Sequence, residues 1–229
     1  MRFQPDVLFE DNHLLIVNKP AGYLVQGDKT GDTPLVELYK PYIKKKYNKP
    51  GAVFLGVIHR LDRPVSGAVV FARTSKALER MNKLFETREI KKTYWAIVKN
   101  RPPEDADHLV HWLIKNQKTN ITKAKKSPFS GGLQSELDYK LIGQIGQQYL
   151  LEVNPLTGRP HQIRVQLSNI SCPITGDLKY GSPKPNSDGN IGLHSARVEF
   201  VHPVNKERIK IIAPMPKNDT WASFVSLMG

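Results

Sequence analysis

The chain has 229 residues, 39% hydrophobic and 24% charged, and its net charge of +13 points to a polyanionic partner, nucleic acid before an anionic membrane. Its one cysteine, Cys172, excludes an intrachain disulfide and a cysteine-rich zinc site, so a reducing compartment is expected. No stretch approaches eighteen apolar residues and the N-terminus lacks the apolar core of a signal peptide, so we expect a cytoplasmic protein that does not enter a membrane.

The first predicted elements are two strands and a helix. β-Branched and aromatic residues at 6–10 and 14–20 predict two strands. Thr33 then predicts an N-cap, with Pro34 in the first helical position. Pro41 is expected to end or kink this helix, because proline lacks the backbone N–H that a helix interior needs.

Two apolar runs further on, 52–58 and 68–72, predict buried strands joined by the loop His59–Gly67. Thr74 then predicts the start of a clearer helix, since apolar residues within 77–85 recur at helical spacing.

The second half of the chain predicts more strands than helices. Strands are predicted at 92–98, 137–142, 148–153, 198–201 and 209–212, and a helix is predicted from Pro160. The basic and polar stretch 115–132 lacks apolar periodicity and predicts a mobile loop or hairpin tip. Because strands and helices do not alternate strictly and no linker divides the chain, the sequence predicts an α+β fold with a mixed sheet in a single domain, 1–229.

The loop between the two buried strands carries the first candidate catalytic group. Asp62 lies there among Arg60, Arg63 and His59. Neighbouring cations favour the charged form of a carboxylate, and catalytic groups often lie on loops held by rigid elements. Asp62 is therefore expected to be ionised and available as a nucleophile or base. A solvated basic turn with a structural Asp–Arg pair is the alternative, and composition alone does not exclude it.

A second candidate segment precedes the helix predicted from Pro160. Gly158 there indicates a permissive turn, and backbone amides at a helix start favour an anion. Arg159 adds positive charge, and His161 and Arg164 are spaced to point the same way on a helix. A phosphate cradle, a solvated cap and a catalytic element remain equal alternatives for this segment.

Metal and cofactor motifs are not found in the sequence. His108 and His111 are three residues apart, but no carboxylate or third histidine stands at a convincing distance, so we interpret them as incidental. There is no P-loop and no dinucleotide-binding fingerprint.

The chain resembles the RluA family of pseudouridine synthases in several collinear segments. These are similar to the family's opening turn, catalytic loop, tyrosine strand and arginine helix, followed by further segments: Asn18–Gly22, His59–Gly67, Lys92–Ala96, Thr157–Arg164, Pro173–Asp177, Tyr180–Gly181, Leu193–His194, Phe200, His202–Pro203 and Ala213–Pro216. Two residues depart from the pattern. Val65 stands where the family usually has threonine, and Pro160 is a less usual residue in the arginine helix.

The resemblance implies the pseudouridine synthase fold, a mostly antiparallel sheet with flanking helices around a central RNA-binding cleft. It also implies an isomerase that breaks the N1–C1′ bond of a uridine, turns the base and rejoins it through C5, with no cofactor or metal. Asp62 would be the nucleophile, Tyr94 would stack on the base and serve in proton removal from C5, and Arg164 would pair with the catalytic carboxylate. Without the resemblance, Tyr94 would be interpreted as a core aromatic residue.

The implied partner is ribosomal or transfer RNA, and the resemblance implies a monomer without an obligate protein partner. Arg60 would enter the helical stack after the target uridine is flipped out. Further RNA contacts are expected from other basic side chains: His59, Arg63, Arg159, His161, Lys115, Lys118, Lys123, Lys125 and Lys126. Lys44–Lys46 form a second basic patch, for which a solvated face is the favoured interpretation.

Two other classes of function remain open. One is an inactive RNA-binding or RNA-folding protein on the same scaffold, which would not require an ionised Asp62. The other is a glycosidase-like hydrolase of nucleosides, which would need a second acid near Asp62 that the sequence does not offer. No small N-terminal RNA-binding domain of the S4 type fits before Asp6, so target choice is expected to depend on the catalytic domain.

Overall fold

The computed structural model describes residues 3–227, which fold as two compact units. The first unit comprises the chain up to Lys91 together with Ser195–Pro214, and the second comprises Lys92–His194 and the chain from Met215 onward. The strands are Val7–Glu10 (β1), Leu14–Lys19 (β2), Gly56–Val57 (β3), Ser66–Ala72 (β4), Lys91–Val98 (β5), Ala106–Asn116 (β6), Ile121–Lys125 (β7), Leu133–Ile145 (β8), Gln148–Pro155 (β9), Leu193–Val201 (β10) and Arg208–Ile212 (β11). The α-helices are Leu35–Lys46 (α1), Ser75–Glu86 (α2), Gln162–Asn169 (α3) and Asp219–Ala222 (α4), with short 3-10 helices at Leu178–Tyr180 and Val225–Leu227.

The sheet of the first unit is built on β4, every residue of which is buried. Its strand order is β1-β2-β4-β10, with β11 beside β10 and β3 beside β4. β2 runs antiparallel to β4 from Leu14 opposite Ala72 to Lys19 opposite Gly67. One core cluster joins this sheet to α2 through Val70, Met81 and Phe200.

The predicted strand at 52–58 is wrong for all but its last residues. Only Gly56–Val57 pair with β4. β2 occupies one edge of β4 and β10 takes part of the other, so only a short segment of that edge is left for β3.

The helix predicted after Thr33 forms, but the prediction misplaced its cap and its end. Pro34 is the N-cap residue, and α1 continues through Pro41 to Lys46. Tyr39 and Ile43 are buried on either side of Pro41, and this packing outweighs the hydrogen bond that proline cannot donate. Thr74, by contrast, caps α2 as predicted, since its side chain accepts the N–H of Ala77 at 3.1 Å.

The sheet of the second unit has the order β5-β9-β8-β6-β7, and these strand pairs are antiparallel. The sequence did not predict β6, and it assigned β7 to the loop 115–132. A hairpin tip does lie at 117–120, but it joins two regular strands. The sequence of β7 shows no alternating apolar pattern, because its inward residues, Thr122 and Ala124, are small or polar.

The α+β prediction is confirmed by both units. None of the described helices is long and apolar enough to cross a membrane.

Candidate active site

Asp62 lies on the connection from β3 to β4, just before a tight turn. Its carbonyl accepts the N–H of Val65 at 3.0 Å, which closes the turn over Arg63 and Pro64. Leu61 and Val65 are buried on either side, so the turn is anchored in the core of the first unit while Asp62 itself is only half-buried. The backbone at Asp62 is therefore fixed, and the half-buried residue still contacts solvent.

The opening turn after β2 fixes the position of Arg63. The carbonyl of Arg63 accepts both the N–H of Gly22 at 2.8 Å and the ammonium of Lys19 at 3.0 Å. Its guanidinium donates to the carbonyl of Gly22 at 3.0 Å and forms an ion pair with Asp32 at 2.6 Å. Two segments that the sequence analysis treated separately therefore form one local structure around Asp62.

Lys19 is fully buried, which is rare for a lysine. Burial lowers its pKa to about 7, while the charge of Asp62 raises that pKa and the charge of Arg63 lowers it further. Lys19 therefore belongs to the electrostatic surroundings of Asp62. The sequence analysis did not select it, although it lies in the segment Asn18–Gly22 that resembles the family's opening turn.

We expect Lys19 to make stability depend on pH. Because its folded pKa of about 7 lies below the ordinary lysine value of 10.5, the unfolded chain binds more protons between these values. The cost of burying the ammonium is therefore full below pH 7 and falls as pH rises toward 10.5, by about 1.4 kcal/mol per unit. Urea unfolding from pH 6 to 9.5 should show the wild type gaining stability relative to Lys19→Met above pH 7. The control Lys49→Met, which removes an exposed lysine of the same unit, should follow the wild type; curves for Lys19→Met parallel to the wild type would contradict the assignment.

The other basic residues of this loop differ in their surroundings. His59 accepts the N–H of Val70 on Nε2 at 3.0 Å, and its ring stacks on Phe85 at 5.0 Å between centroids. His59 therefore ties the loop to β4 and α2. Arg60 is exposed. The predicted RNA contacts of these residues stay predictions.

Tyr94 lies in β5 of the second unit and is 8% exposed. It is opposite Val153 of β9. The next residue, Trp95, stacks on His194 with centroids 5.7 Å apart, so both faces of β5 are packed at this point.

Arg164 is buried in α3 and forms a two-pronged ion pair with Asp177. Its Nε donates to Oδ2 at 2.7 Å and its Nη2 donates to Oδ1 at 2.8 Å. The guanidinium carbon also lies 4.9 Å from the ring centroid of Tyr180. Two parallel charge-assisted bonds fix the plane of a guanidinium, so Asp177 determines how Arg164 is oriented. Asp177 was not predicted as a site residue, although it ends the segment Pro173–Asp177 that carries the resemblance.

The turn before α3 corrects three details of the sequence analysis. The helix begins at Gln162, and its N-cap is His161, which has a left-handed φ of 56°. His161 therefore lies outside the helix, so the helical spacing to Arg164 does not set its direction. Gly158 is not in the left-handed region, whereas His161 is. The N–H of Arg159 donates to Oε1 of Gln162 at 3.0 Å, so a side chain already satisfies this amide.

The lysines predicted to grip RNA lie on and beside the hairpin of β6 and β7. Lys123, Lys125 and Lys126 are exposed, and the ammonium of Lys125 lies 4.9 Å from the ring centroid of Phe129. Lys118 is exposed at the tip and Lys115 is half-buried. In the second patch, Lys46 pairs with Glu10 at 2.6 Å, which agrees with the interpretation of that patch as an ordinary protein face.

His108 and His111 lie on β6, where residues three apart face opposite sides. His108 contacts Asp138 at 2.7 Å on the exposed side, and His111 is buried 3.1 Å from Gln166. Within residues 3–227, no group of three or more histidine, cysteine, aspartate or glutamate side chains is arranged to hold a metal ion.

Comparison with known proteins gives consistent results. The sequence profile described as RNA pseudouridylate synthase matches residues 13–169. The chain is 32% identical over 215 residues to ribosomal large subunit pseudouridine synthase C of Vibrio parahaemolyticus, covering 91% of this chain and 65% of that protein. It is 33% identical over 214 residues to an uncharacterized RNA pseudouridine synthase of Bacillus subtilis, covering 92% of this chain and 68% of the relative.

Two solved structures share the fold of this chain over most of its length. Human RNA pseudouridylate synthase domain containing 4 has a TM-score of 0.77 at 23% identity, covering 93% of this chain and 89% of that one. Human RNA pseudouridylate synthase domain containing 1 has a TM-score of 0.71 at 23% identity. The predicted fold is confirmed by these similarities. The chain spans 65% of the length of the first curated relatives that it matches.

Proposed function

Because the chain belongs to the RNA pseudouridylate synthase family, we propose that it isomerises uridines in RNA to pseudouridine. In this reaction the N1–C1′ bond of the nucleotide breaks, a C5–C1′ bond forms, C5 loses its proton, and N1 gains a proton. Substrate and product have the same atoms and oxidation state, so the proposed reaction requires no redox cofactor.

The observation that carries the proposal is the fixed loop around Asp62. Its turn is closed by Val65 and is held through Arg63 by the turn after β2, and the buried Lys19 lies in its electrostatic surroundings. A nucleophile gains from a restricted direction, since the reacting atoms must meet within narrow limits of distance and angle. The chain thus offers a carboxylate on a fixed backbone, in the segment that resembles the family's catalytic loop.

The remaining roles are carried over from the resemblance. Asp62 attacks the flipped nucleotide, Tyr94 stacks on the base and takes part in removing the C5 proton, and Arg164 pairs with the carboxylate. The two-pronged contact with Asp177 supports a positioning function for Arg164, because it presets the plane of the guanidinium.

We propose large-subunit ribosomal RNA as the substrate, with transfer RNA as the alternative. The support is the name of the Vibrio relatives, ribosomal large subunit pseudouridine synthase C, and the net charge of +13. Flipping a uridine out of folded RNA costs a few kcal/mol, about the amount that several lysine–phosphate contacts can offset. The side chains proposed to make such contacts are the exposed Arg60 and Arg159 and the hairpin lysines. Further contacts are proposed for His59, Arg63 and His161, beside the turns that they stabilise.

We also propose that the protein acts in the cytoplasm as a monomer, with the two units working as one catalytic domain. The single cysteine and the absence of a membrane-spanning helix in residues 3–227 are compatible with this location.

The reaction product tests the proposed function. We expect the wild-type protein, incubated with an unmodified transcript of large-subunit ribosomal RNA, to produce pseudouridine at a small number of uridines, mapped by chemical labelling. A matched incubation with unmodified transfer RNA transcripts tests the alternative substrate. Release of free uracil would instead indicate a hydrolase, and tight RNA binding without any pseudouridine would indicate an inactive RNA-binding protein.

A further inference from the structure

Tyr180 connects two parts of the second unit that the proposed function uses separately. It ends the 3-10 helix Leu178–Tyr180 and is 6% exposed. Its ring centroid lies 4.9 Å from the guanidinium carbon of Arg164, while its hydroxyl accepts the N–H of Thr122 at 2.8 Å. One side chain therefore contacts both α3 and the lysine-bearing hairpin of β6 and β7.

The hydroxyl of Tyr180 can act both as a hydrogen-bond acceptor and as a donor. Because it accepts the N–H of Thr122, its own proton is available to Nδ1 of His161, 2.6 Å away. Burial raises the pKa of Tyr180, so the phenol keeps this proton at neutral pH. His161 is the left-handed N-cap of α3, and the bond therefore also fixes the start of the helix that carries Arg164.

On the hairpin side, Thr122 is the residue that anchors β7. Its N–H reaches Tyr180, and its hydroxyl donates to the carbonyl of Pro160 at 2.9 Å. Side chains alternate along a strand, so anchoring Thr122 on the inner face leaves Lys123 and Lys125 exposed on the outer face. Two weaker contacts support the same strand and its turn, from Asn169 to the carbonyl of Ala124 and from Lys179 to that of Asn120.

On the arginine side, Tyr180 and Asp177 form one tight turn. The N–H of Tyr180 donates to the carbonyl of Asp177 at 3.0 Å, and the Asp177 carboxylate holds Arg164 by two bonds. The carboxylate fixes the plane of the guanidinium and the ring of Tyr180 lies beside it.

We propose that Tyr180 is a positioning residue that holds the hairpin lysines and Arg164 in a fixed arrangement. It holds the lysines through its hydroxyl and Arg164 through its ring. RNA bound by Lys123 and Lys125 is thereby presented at a fixed distance from Arg164. The inference rests on the proposed function, because it takes these lysines as RNA contacts.

Tyr180→Phe tests the hydroxyl, since it keeps the ring beside Arg164 and removes the bonds to Thr122 and His161. We expect the dissociation constant for an unmodified transcript of large-subunit ribosomal RNA to rise about tenfold, while the single-turnover rate at saturating enzyme changes less than about threefold. Thr122→Val, which loses the hydroxyl bond to Pro160 but keeps the backbone N–H that Tyr180 accepts, should raise the dissociation constant less, in the same direction. The matched control is Tyr139→Phe, because Tyr139 is also buried in this unit and its hydroxyl donates to the carbonyl of Glu104 at 3.1 Å.

Amide hydrogen exchange gives a readout that does not depend on activity. In Tyr180→Phe, exchange across Ile121–Lys125 should rise about tenfold, and in Tyr139→Phe it should match the wild type. Unchanged exchange in Tyr180→Phe would overturn the inference whatever the enzyme does. Faster exchange with unchanged RNA affinity, or equal loss of affinity in both variants, would also overturn it. A wild-type protein that binds the transcript but forms no pseudouridine would reject the proposed function, while exchange and affinity would still decide the role of Tyr180.

Discussion

Asp62→Asn should lower pseudouridine formation by at least about 10⁴-fold, the size of loss seen when a nucleophile is removed from an enzyme. The amide has the shape of the carboxylate, so the carbonyl bond from Val65 and the turn over Arg63 and Pro64 should persist. The amide lacks the negative charge and the nucleophilic oxygen, and these are what the proposed reaction requires. The rate is measured as pseudouridine formed in a ribosomal RNA transcript under single-turnover conditions.

The control for this substitution is Asp28→Asn, which removes an exposed carboxylate of the same unit. It should keep wild-type activity. RNA affinity of Asp62→Asn should stay within about threefold of the wild type, because phosphate contacts supply most of the binding energy. Pseudouridine formed at the wild-type rate by Asp62→Asn would remove Asp62 from the mechanism.

Gly67→Ala should destabilise the protein by about 3 kcal/mol or more, enough to abolish most soluble expression of a marginally stable fold. Gly67 has a φ of 111°, a conformation that residues with a Cβ rarely adopt. A Cβ there would also lie 2.2 Å from the carbonyl oxygen of Ser195 and 2.6 Å from its nitrogen. Both are backbone atoms of β10, which cannot move aside without opening its pairing with β4.

Gly51→Ala is the matched control for Gly67→Ala, since nothing lies within 4 Å of a Cβ added at Gly51 and its φ is not positive. Urea unfolding and the soluble yield of the two variants should separate clearly. If both showed the wild-type midpoint, the close approach of β4 and β10 at Gly67 would be refuted. Gly67 is also opposite Lys19 in the sheet. In any Gly67→Ala protein that does fold, the loop that carries Asp62 should therefore be disturbed.

Elements with a strong local signal were predictable from the sequence. The cap at Thr74 and the helical spacing that follows it gave α2 its start, because both signals lie within one short window. The apolar β4 was equally clear. β6 and β7 were not predicted, because their polar and basic residues mask the alternation that only pairing with β8 and packing on α3 make evident.

In the candidate site, too, features with a local sequence signal were predictable and features that depend on distant contacts were not. The position of Asp62 on a loop between apolar runs could be predicted, and the resemblance supplied Tyr94 and Arg164. Lys19, Asp177 and Tyr180 lie in segments that carry the resemblance, but they were not predicted as site residues, because their importance depends on burial and on partners that no local pattern specifies. Lys19 reaches a carbonyl 44 positions away, and the hydroxyl of Tyr180 reaches an amide 58 positions away.

The first unit is assembled from two separate stretches of the chain, and this affects how it can form during synthesis. β4 gains β2 early, but β10 and β11 come from Ser195–Pro214, after most of the second unit has been made. On the ribosome, the part of β4 that pairs with β10 therefore stays unpaired until β10 has been translated. Pairing over so long a sequence separation is slow, and an exposed apolar edge invites aggregation in the meantime, so this nascent chain should depend on chaperones that bind before β10 and β11 emerge.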